Sequence, residues 1–312
     1  MRKQDEITGG SAAGGSLRAQ RGNRRVTPVA ERSQTRETPS ALLARPVVIK
    51  LGGRALEAPG ALLEFTTALA RLSRVSLLVH GGGAEVTHWL ERAGIAPRFA
   101  NGLRVTDAPT LEIATAVLAG LANKRLVAAL RAHGVDAVGL ATLDGGTLVA
   151  QPHAMASELG AVGQITGSDM SLMETLLAQG RTPVLASIGA TAEGALLNIN
   201  ADDAACALAI ALRAPALVLL SDTPGLKLGG QVVPQLRASE LPALFTHPEV
   251  QGGMVPKLRS ALAALDAGVE RVTIASWNGP DTLSSLLEGT GAGIGTTLIA
   301  DHASAPTEEA HA

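Results

Sequence analysis

Val47-Val48-Ile49-Lys50-Leu51-Gly52-Gly53, residues 47–53, is a short apolar run that carries one lysine and stops on two glycines. Such a run reads as a buried strand entering a tight turn. Residues 61–72 then read as a helix. The pattern recurs at once: residues 75–79 form a second buried strand, broken by His80-Gly81-Gly82-Gly83, and residues 85–93 read as the next helix. Two strand–glycine–helix units in succession indicate an α/β fold with parallel strands.

Working outward, two helices are expected at about 108–120 and 121–133, followed by glycine-rich alternating segments over 139–166 that suit hairpins. Residues 171–177 read as a helix, and 183–187 as the strand that closes a first lobe. A second lobe has a helix over about 202–212, a strand over 216–221, a helix near 254–267, a strand over 271–275 and a last strand near 295–299. The expected division is a disordered tail (1–45), an N-terminal lobe (46–190), a C-terminal lobe (191–302) and a flexible end (303–312). The tail is rich in Gly, Ser, Thr and Arg, with too little apolar surface to offset its ordering entropy. No fixed-period repeat is visible, which argues against a solenoid.

Composition narrows the function classes. Apolar residues make up 46% of the 312, enough for a large core, while aromatics are 2% and Tyr is absent. Leu, Val, Ile and Ala must build the core, which suits a parallel sheet covered by helices. The same poverty removes the stacking platforms that single-stranded nucleic acid needs. A formal net charge of −2 supplies no general pull toward nucleic acid or anionic membrane. Cys206 is the only cysteine, so no intrachain disulfide exists, in keeping with a reducing cytoplasm. No apolar run of about 18 residues is seen, and the N-terminus lacks the apolar core of a secretory signal.

Six motifs carry chemistry. Lys50-Leu51-Gly52-Gly53 puts a lysine at the carboxyl end of a strand, where open α/β sheets bind ligands, and its glycines let backbone N–H groups approach an anion. Taken alone it is equally a plain turn with a solvated lysine. His80-Gly81-Gly82-Gly83 opens a helix and forms an anion cradle; His80 itself reads as a hydrogen-bonding residue of the sheet edge. Arg104, in Asn101-Gly102-Leu103-Arg104-Val105-Thr106-Asp107, has the planar fork that grips a carboxylate. In Asn198-Ile199-Asn200-Ala201-Asp202 the polar residues face one way if the segment is extended, and Asp202 stands where an N-cap would. Ser221-Asp222-Thr223-Pro224-Gly225-Leu226 ends a strand of the second lobe, and Gly252-Gly253-Met254-Val255-Pro256-Lys257 opens a helix with a second lysine. Neither a Walker A pattern nor GxGxxG occurs.

In this order the motifs resemble the amino acid kinase family, and within it the acetylglutamate kinases, over nearly all of residues 47–300. The resemblance implies an open, mainly parallel sheet in a three-layer αβα sandwich of two lobes. It implies ATP-dependent phosphorylation of the γ-carboxylate of N-acetyl-L-glutamate, with Mg²⁺ carried by the nucleotide and no protein metal site. By position, Lys50 and Lys257 would stabilise the transferring phosphoryl group, and Asp202 would orient them. Gly52, Gly53, Gly82, Gly83, Arg104, Asn198 and Asn200 would bind acetylglutamate, Arg104 through the α-carboxylate. Ser221, Asp222, Thr223, Pro224, Gly225, Leu226 and Lys227 would form a nucleotide-binding segment.

Two neighbouring readings are a kinase for a carrier-linked aminoadipate and a catalytically silent copy of the fold. The intact Asn-Gly-Leu-Arg-Val-Thr stretch favours acetylglutamate, also over glutamate 5-kinase and uridylate kinase. The trio Lys50, Asp202 and Lys257 has no chemical reason to persist in a silent copy. Arginine-inhibited members of the family share an N-terminal helix that links dimers into hexamers. Gly9-Gly10 and Gly14-Gly15 do not suit a packed helix, so a cytoplasmic homodimer without strong arginine feedback is expected, with no nucleic-acid or membrane partner.

Overall fold

The computed structural model describes residues 45–52, 60–288 and 294–301. The tail before Arg45, Gly53 and the expected flexible end therefore lie outside the described residues.

A central eight-stranded sheet is built, in chain order, from β1 (Val47–Leu51), β2 (Ser76–His80), β3 (Ala137–Ala141), β4 (Thr182–Ala186), β5 (Ala216–Ser221), β6 (Gln235–Arg237), β7 (Arg271–Ser276) and β8 (Thr296–Ile299). Their order across the sheet is β6-β8-β7-β5-β1-β2-β4-β3. Every neighbouring pair is parallel except β7 with β8. The main helices are α1 (Ala61–Arg71), α2 (Gly83–Arg92), α3 (Ala108–Ala132), α4 (Ser171–Ala178), α5 (Ala201–Ala211), α6 (Met254–Asp266) and α7 (Thr282–Glu288).

Strand alternation sorts the core into two layers. Val48, Leu77, Val79, Leu217 and Leu219 pack with Ala204 and Leu208 of α5 and Leu258 of α6. Val47, Ile49, Leu78 and Val218 pack on the opposite face with Phe65 of α1, Leu130 of α3 and Leu283 of α7. Helices therefore cover both faces, as the aliphatic composition requires, and the expected αβα sandwich is borne out. Each fully buried Leu, such as Leu77 or Leu217, contributes about 1.5–3 kcal/mol over an exposed one.

Two expectations are corrected. The pair of helices at 108–120 and 121–133 is one continuous helix, α3, which is π-helical over Ala116–Ala122. No proline or turn signal breaks the segment, and the wide π turn absorbs Gly120 instead of ending the helix. By length and composition α3 is also the one described helix long and apolar enough to cross a membrane, although Glu112, Lys124, Arg125 and Arg131 interrupt it. Its buried residues Val117, Leu118, Leu126 and Leu130 belong to the protein core. Within 139–166, Ala137–Ala141 joins the central sheet in parallel with β4. Only Leu148–Pro152 and Val162–Ser168 pair as antiparallel neighbours, in a separate four-stranded sheet.

Candidate active site

The site grows from the carboxyl ends of three adjacent strands. Lys50 on β1 stands in register with Val79 of β2 and Leu219 of β5. The exits at Gly52, Gly81 and Ser221 thus lie side by side. Gly52 N–H donates to Leu220 O at 2.8 Å, and a Cβ there would sit 2.9 Å from that same oxygen. Only a residue without a side chain lets the β1 turn run this close to β5. At Gly82 a Cβ would meet Leu118 Cδ2 at 2.7 Å, so α3 presses directly on the second glycine turn.

Lys50 alternates with Ile49 and Leu51, so it points to the face that carries α5. There its Nζ lies 2.7 Å from Asp202 Oδ1. Lys257, in the first turn of α6, brings its Nζ to Asp202 Oδ2 at 2.5 Å. The three side chains are 8%, 10% and 14% exposed for Lys50, Asp202 and Lys257, so this is one carboxylate between two buried cations. Burial opposes the charge on Asp202, but Coulombic attraction from Lys50 and Lys257 outweighs it and holds the carboxyl below its ordinary range. Burial is also the main influence on Lys50 and pushes its ammonium pKa down, with Asp202 working against that loss.

Asp202 is not the N-cap of α5. Asn200 is: its Oδ1 accepts from Asp202 N at 2.8 Å and from Asp203 N at 3.2 Å. An Asp202 spent on capping would not be free to hold both lysines. The extended strand also stops at Ile199, so the expected alternation of Asn198, Asn200 and Asp202 along one strand does not hold. The turn into α5 nevertheless brings all three to the wall of one cavity of about 220 Å³.

Arg104 closes that cavity from a small hairpin, Phe99–Ala100 with Leu103–Arg104. Its turn has Asn101 at φ 50° and Gly102 at φ 80°, left-handed positions that Asn and Gly tolerate best. Arg104 Nη2 donates to Gly83 O and to Thr87 Oγ1, both at 2.8 Å. The guanidinium lies 4.7 Å from the Phe99 ring centroid. Its Nη1 is buried and has no hydrogen-bond partner among the described residues. A buried cationic donor without a partner is costly, and a ligand carboxylate is its natural complement. Asn198 Nδ2 donates to Thr106 Oγ1 at 3.1 Å, which fixes its amide.

A larger cavity of about 660 Å³ shares Lys50, Gly83 and Arg104 with the first and extends to Ser221, Asp222 and Lys257. Beyond Asp222 the expected nucleotide segment divides. Thr223 folds back, its hydroxyl 2.9 Å from that of Ser221. Pro224 leads into Gly225, whose φ of 141° and close approach to Thr296 exclude a side chain. The Leu226 side chain is buried in the core, and Lys227 pairs with Val232 in a two-stranded ribbon. Among the described residues no group of three His, Cys, Asp or Glu could hold a metal.

Sequence reasoning missed Phe99 and Thr87, which orient Arg104, and Leu118, which presses on Gly82. It also missed Ser260, which donates to Asp203 Oδ1 at 2.5 Å one helical turn beyond Lys257. Thr87, Leu118 and Ser260 have no local signature, because each acts through a contact more distant along the chain, whereas Phe99 faces Arg104 across their own hairpin.

Comparison with known proteins adds an independent line. The amino acid kinase family, as a sequence profile, matches residues 45–276. An acetylglutamate kinase of Methanopyrus kandleri is 43% identical over 253 residues, covering 78% of this chain and 98% of that protein. One from Koribacter versatilis is 42% identical over 258 residues, covering 81% and 98%. Among solved structures, N-acetylglutamate synthase of Neisseria gonorrhoeae, complexed with coenzyme A and N-acetyl-glutamate, superposes with a TM-score of 0.72 at 26% identity, covering 86% of this chain and 62% of that one. Carbamate kinase from Giardia lamblia bound to AMP-PNP shares the fold, with a TM-score of 0.60 at 17% identity over 83% of this chain and 99% of that one.

Proposed function

The chain belongs to the amino acid kinase family, and from that premise we propose that it transfers the γ-phosphoryl group of ATP to the γ-carboxylate of N-acetyl-L-glutamate. The product is N-acetyl-L-glutamyl 5-phosphate, and the reaction is a step of arginine biosynthesis. The observation that carries this reading is the Lys50–Asp202–Lys257 bridge beside a cavity lined by Arg104, whose buried Nη1 has no hydrogen-bond partner among the described residues.

Phosphoryl transfer asks for positioning and charge neutralisation rather than covalent help. A carboxylate is already a competent nucleophile, so no general base is needed. One γ-carboxylate oxygen bonds to phosphorus as the bond to the bridging oxygen of ADP breaks. Lys50 reaches this centre from β1 and Lys257 from α6. Their ammonium groups meet the charge that spreads over the phosphoryl oxygens, and Asp202 aims both. Arg104 would take the α-carboxylate, with Asn198 and Asn200 beside it. Gly82 and Gly83 would supply backbone N–H groups to the substrate, while the Gly52 N–H is taken by Leu220 O and Gly52 would serve by letting the chain pass close.

ATP would enter the larger cavity at Ser221 and Asp222 at the end of β5, while Thr223 to Lys227 lie outside its lining. Mg²⁺ bound to the phosphates would add charge neutralisation. Because both oxygens of Asp202 already face lysines, the nucleotide rather than this carboxylate would carry the ion. The protein is assigned to the cytoplasm, in keeping with its single cysteine, and is assigned as a homodimer.

The test is an ATP-dependent hydroxylamine trap of acyl phosphate, comparing N-acetylglutamate with glutamate and aminoadipate derivatives. Product with N-acetylglutamate supports the reading. A preference for another acid, or no trapped product, overturns it. Sedimentation tests the dimer, and a hexamer that loses activity in arginine refutes it.

A further inference from the structure

His80 and Asn123 are buried polar residues, 4% and 0% exposed, that the reaction above does not use. Asn123 leaves the π-helical segment of α3 and reaches under the sheet. Its Nδ2 lies 2.9 Å from Val184 O, 3.2 Å from Leu140 O and 3.0 Å from His80 Nε2, while its Oδ1 accepts from Lys124 Nζ at 2.9 Å. Two carbonyls can only accept and an ammonium can only donate, so the orientation of the amide is determined. Nδ2 shares two hydrogens among three acceptors and cannot itself accept, so His80 Nε2 faces it without a proton. On the other side of the ring, Nδ1 lies 2.9 Å from Gly81 O, which can only accept, so Nδ1 carries the proton. Both contacts specify the same neutral tautomer. Burial, the largest influence, lowers the His80 pKa and favours that neutral form.

The consequence lies in the next peptide. The C=O of Gly81 and the N–H of Gly82 belong to one planar trans unit and point in opposite directions. Gly81 and Gly82 line both the catalytic cavity and a cavity of about 480 Å³ that also contains His80. Holding the Gly81 carbonyl toward His80 therefore points the Gly82 N–H away from His80. A glycine peptide without such an anchor is free to flip, because glycine populates both signs of φ.

We propose that His80 and Asn123 are positioning residues that lock the Gly81–Gly82 peptide so that the Gly82 N–H faces the reacting carboxylate and phosphoryl oxygens. The inference rests on the reaction proposed above for its catalytic meaning, but the lock itself is a property of the free protein.

Two measurements test it. In ¹⁵N-histidine spectra of the wild-type chain without substrate, His80 is expected to show a protonated Nδ1 and an unprotonated Nε2 at neutral pH. The opposite tautomer, or a charged ring, overturns the proposal. In kinetics, Asn123→Leu and His80→Ala are expected to lower kcat by on the order of tenfold to a hundredfold, with KM for N-acetylglutamate and ATP within about twofold. His80→Gln, which can donate to Gly81 O, is expected to recover part of kcat. Wild-type kcat in a folded Asn123→Leu or His80→Ala protein overturns the lock, as does a loss that appears only in KM. The tautomer is read without substrate, so failure of this inference and failure of the assigned reaction are separate results.

Discussion

Lys257 Nζ donates to Asp202 Oδ2 at 2.5 Å, which joins the first turn of α6 to the first turn of α5. The other oxygen of the same carboxylate faces Lys50 at 2.7 Å. One aspartate thus gathers two cations from opposite ends of the chain, and most of what can be tested follows from that geometry.

Asp202→Ala leaves two ammonium groups without their buried counter-charge. Breaking a buried pair by removing one partner costs about 3–5 kcal/mol, so denaturant titration is expected to show a loss of that order. Asp202→Asn, which keeps the shape, is expected to retain more stability than Asp202→Ala while still losing turnover. Equal stability of Asp202→Ala and wild type would contradict the ion-pair reading.

Lys50→Met and Lys257→Met preserve the length of the stem and delete the charge. Each is expected to lower kcat by about 10²-fold or more, with a folded protein by circular dichroism. Wild-type-like acyl phosphate formation by either variant would remove that lysine from the mechanism.

Arg104→Lys removes the fork and its stacking on Phe99 while keeping a positive charge. The expected signature is a KM for N-acetylglutamate raised about tenfold or more, with KM for ATP little changed, since a single lost charge-assisted hydrogen bond is worth about 1.5–3 kcal/mol. An unchanged KM for the acid would show that the unpartnered Nη1 does not meet it.

Gly52→Ala places a Cβ 2.9 Å from Leu220 O and 3.1 Å from Ser221 Cα, both backbone atoms that cannot move aside. The β1 turn must shift away from β5. Loss of activity and a lowered Tm are expected together, and a fully active Gly52→Ala protein would contradict the close approach.

Activity and stability should respond to pH in opposite senses on the alkaline side. The folded pKa of Lys50 lies below its ordinary value, so turnover falls as pH rises through it and the catalytic charge is lost. Between the folded and unfolded values the unfolded chain binds more protons, so the Lys50 contribution to stability rises with pH. Asp202 acts on the acid side. Its folded pKa is depressed, so its stabilisation is complete above the ordinary carboxylate range and is lost as pH falls through the lowered value. Paired pH profiles of kcat and of urea stability check both signs.

The sheet was legible because its strands announce themselves locally. Residues 47–51 and 216–221 are read from sequence with the bounds the structure gives, since uninterrupted apolar runs ended by Gly or Ser-Asp have few other solutions. The helix over 108–132 was misread as two, because a π-helical turn leaves no mark in composition. Asp202 was misread as a cap because Asn and Asp cap equally well, and only the backbone decides which one stands outside the helix.

By itself, then, the sequence determined the parallel α/β class and supplied the residues of the candidate site. Apolar periodicity and glycine turns are local properties, and the motif residues are written in order along the chain. The tertiary structure alone decided that the two lysines take opposite oxygens of one buried carboxylate, that Phe99 and Thr87 aim Arg104, and that His80 and Asn123 hold the second glycine turn. Most of these are contacts between elements far apart in the chain, such as Lys257 with Asp202 and Asn123 with His80. Packing creates them, and no pattern within either element encodes them. Even the opening run changed meaning on this account. Lys50 on its strand was equally a solvated side chain until β1, α5 and α6 packed together and buried it against Asp202.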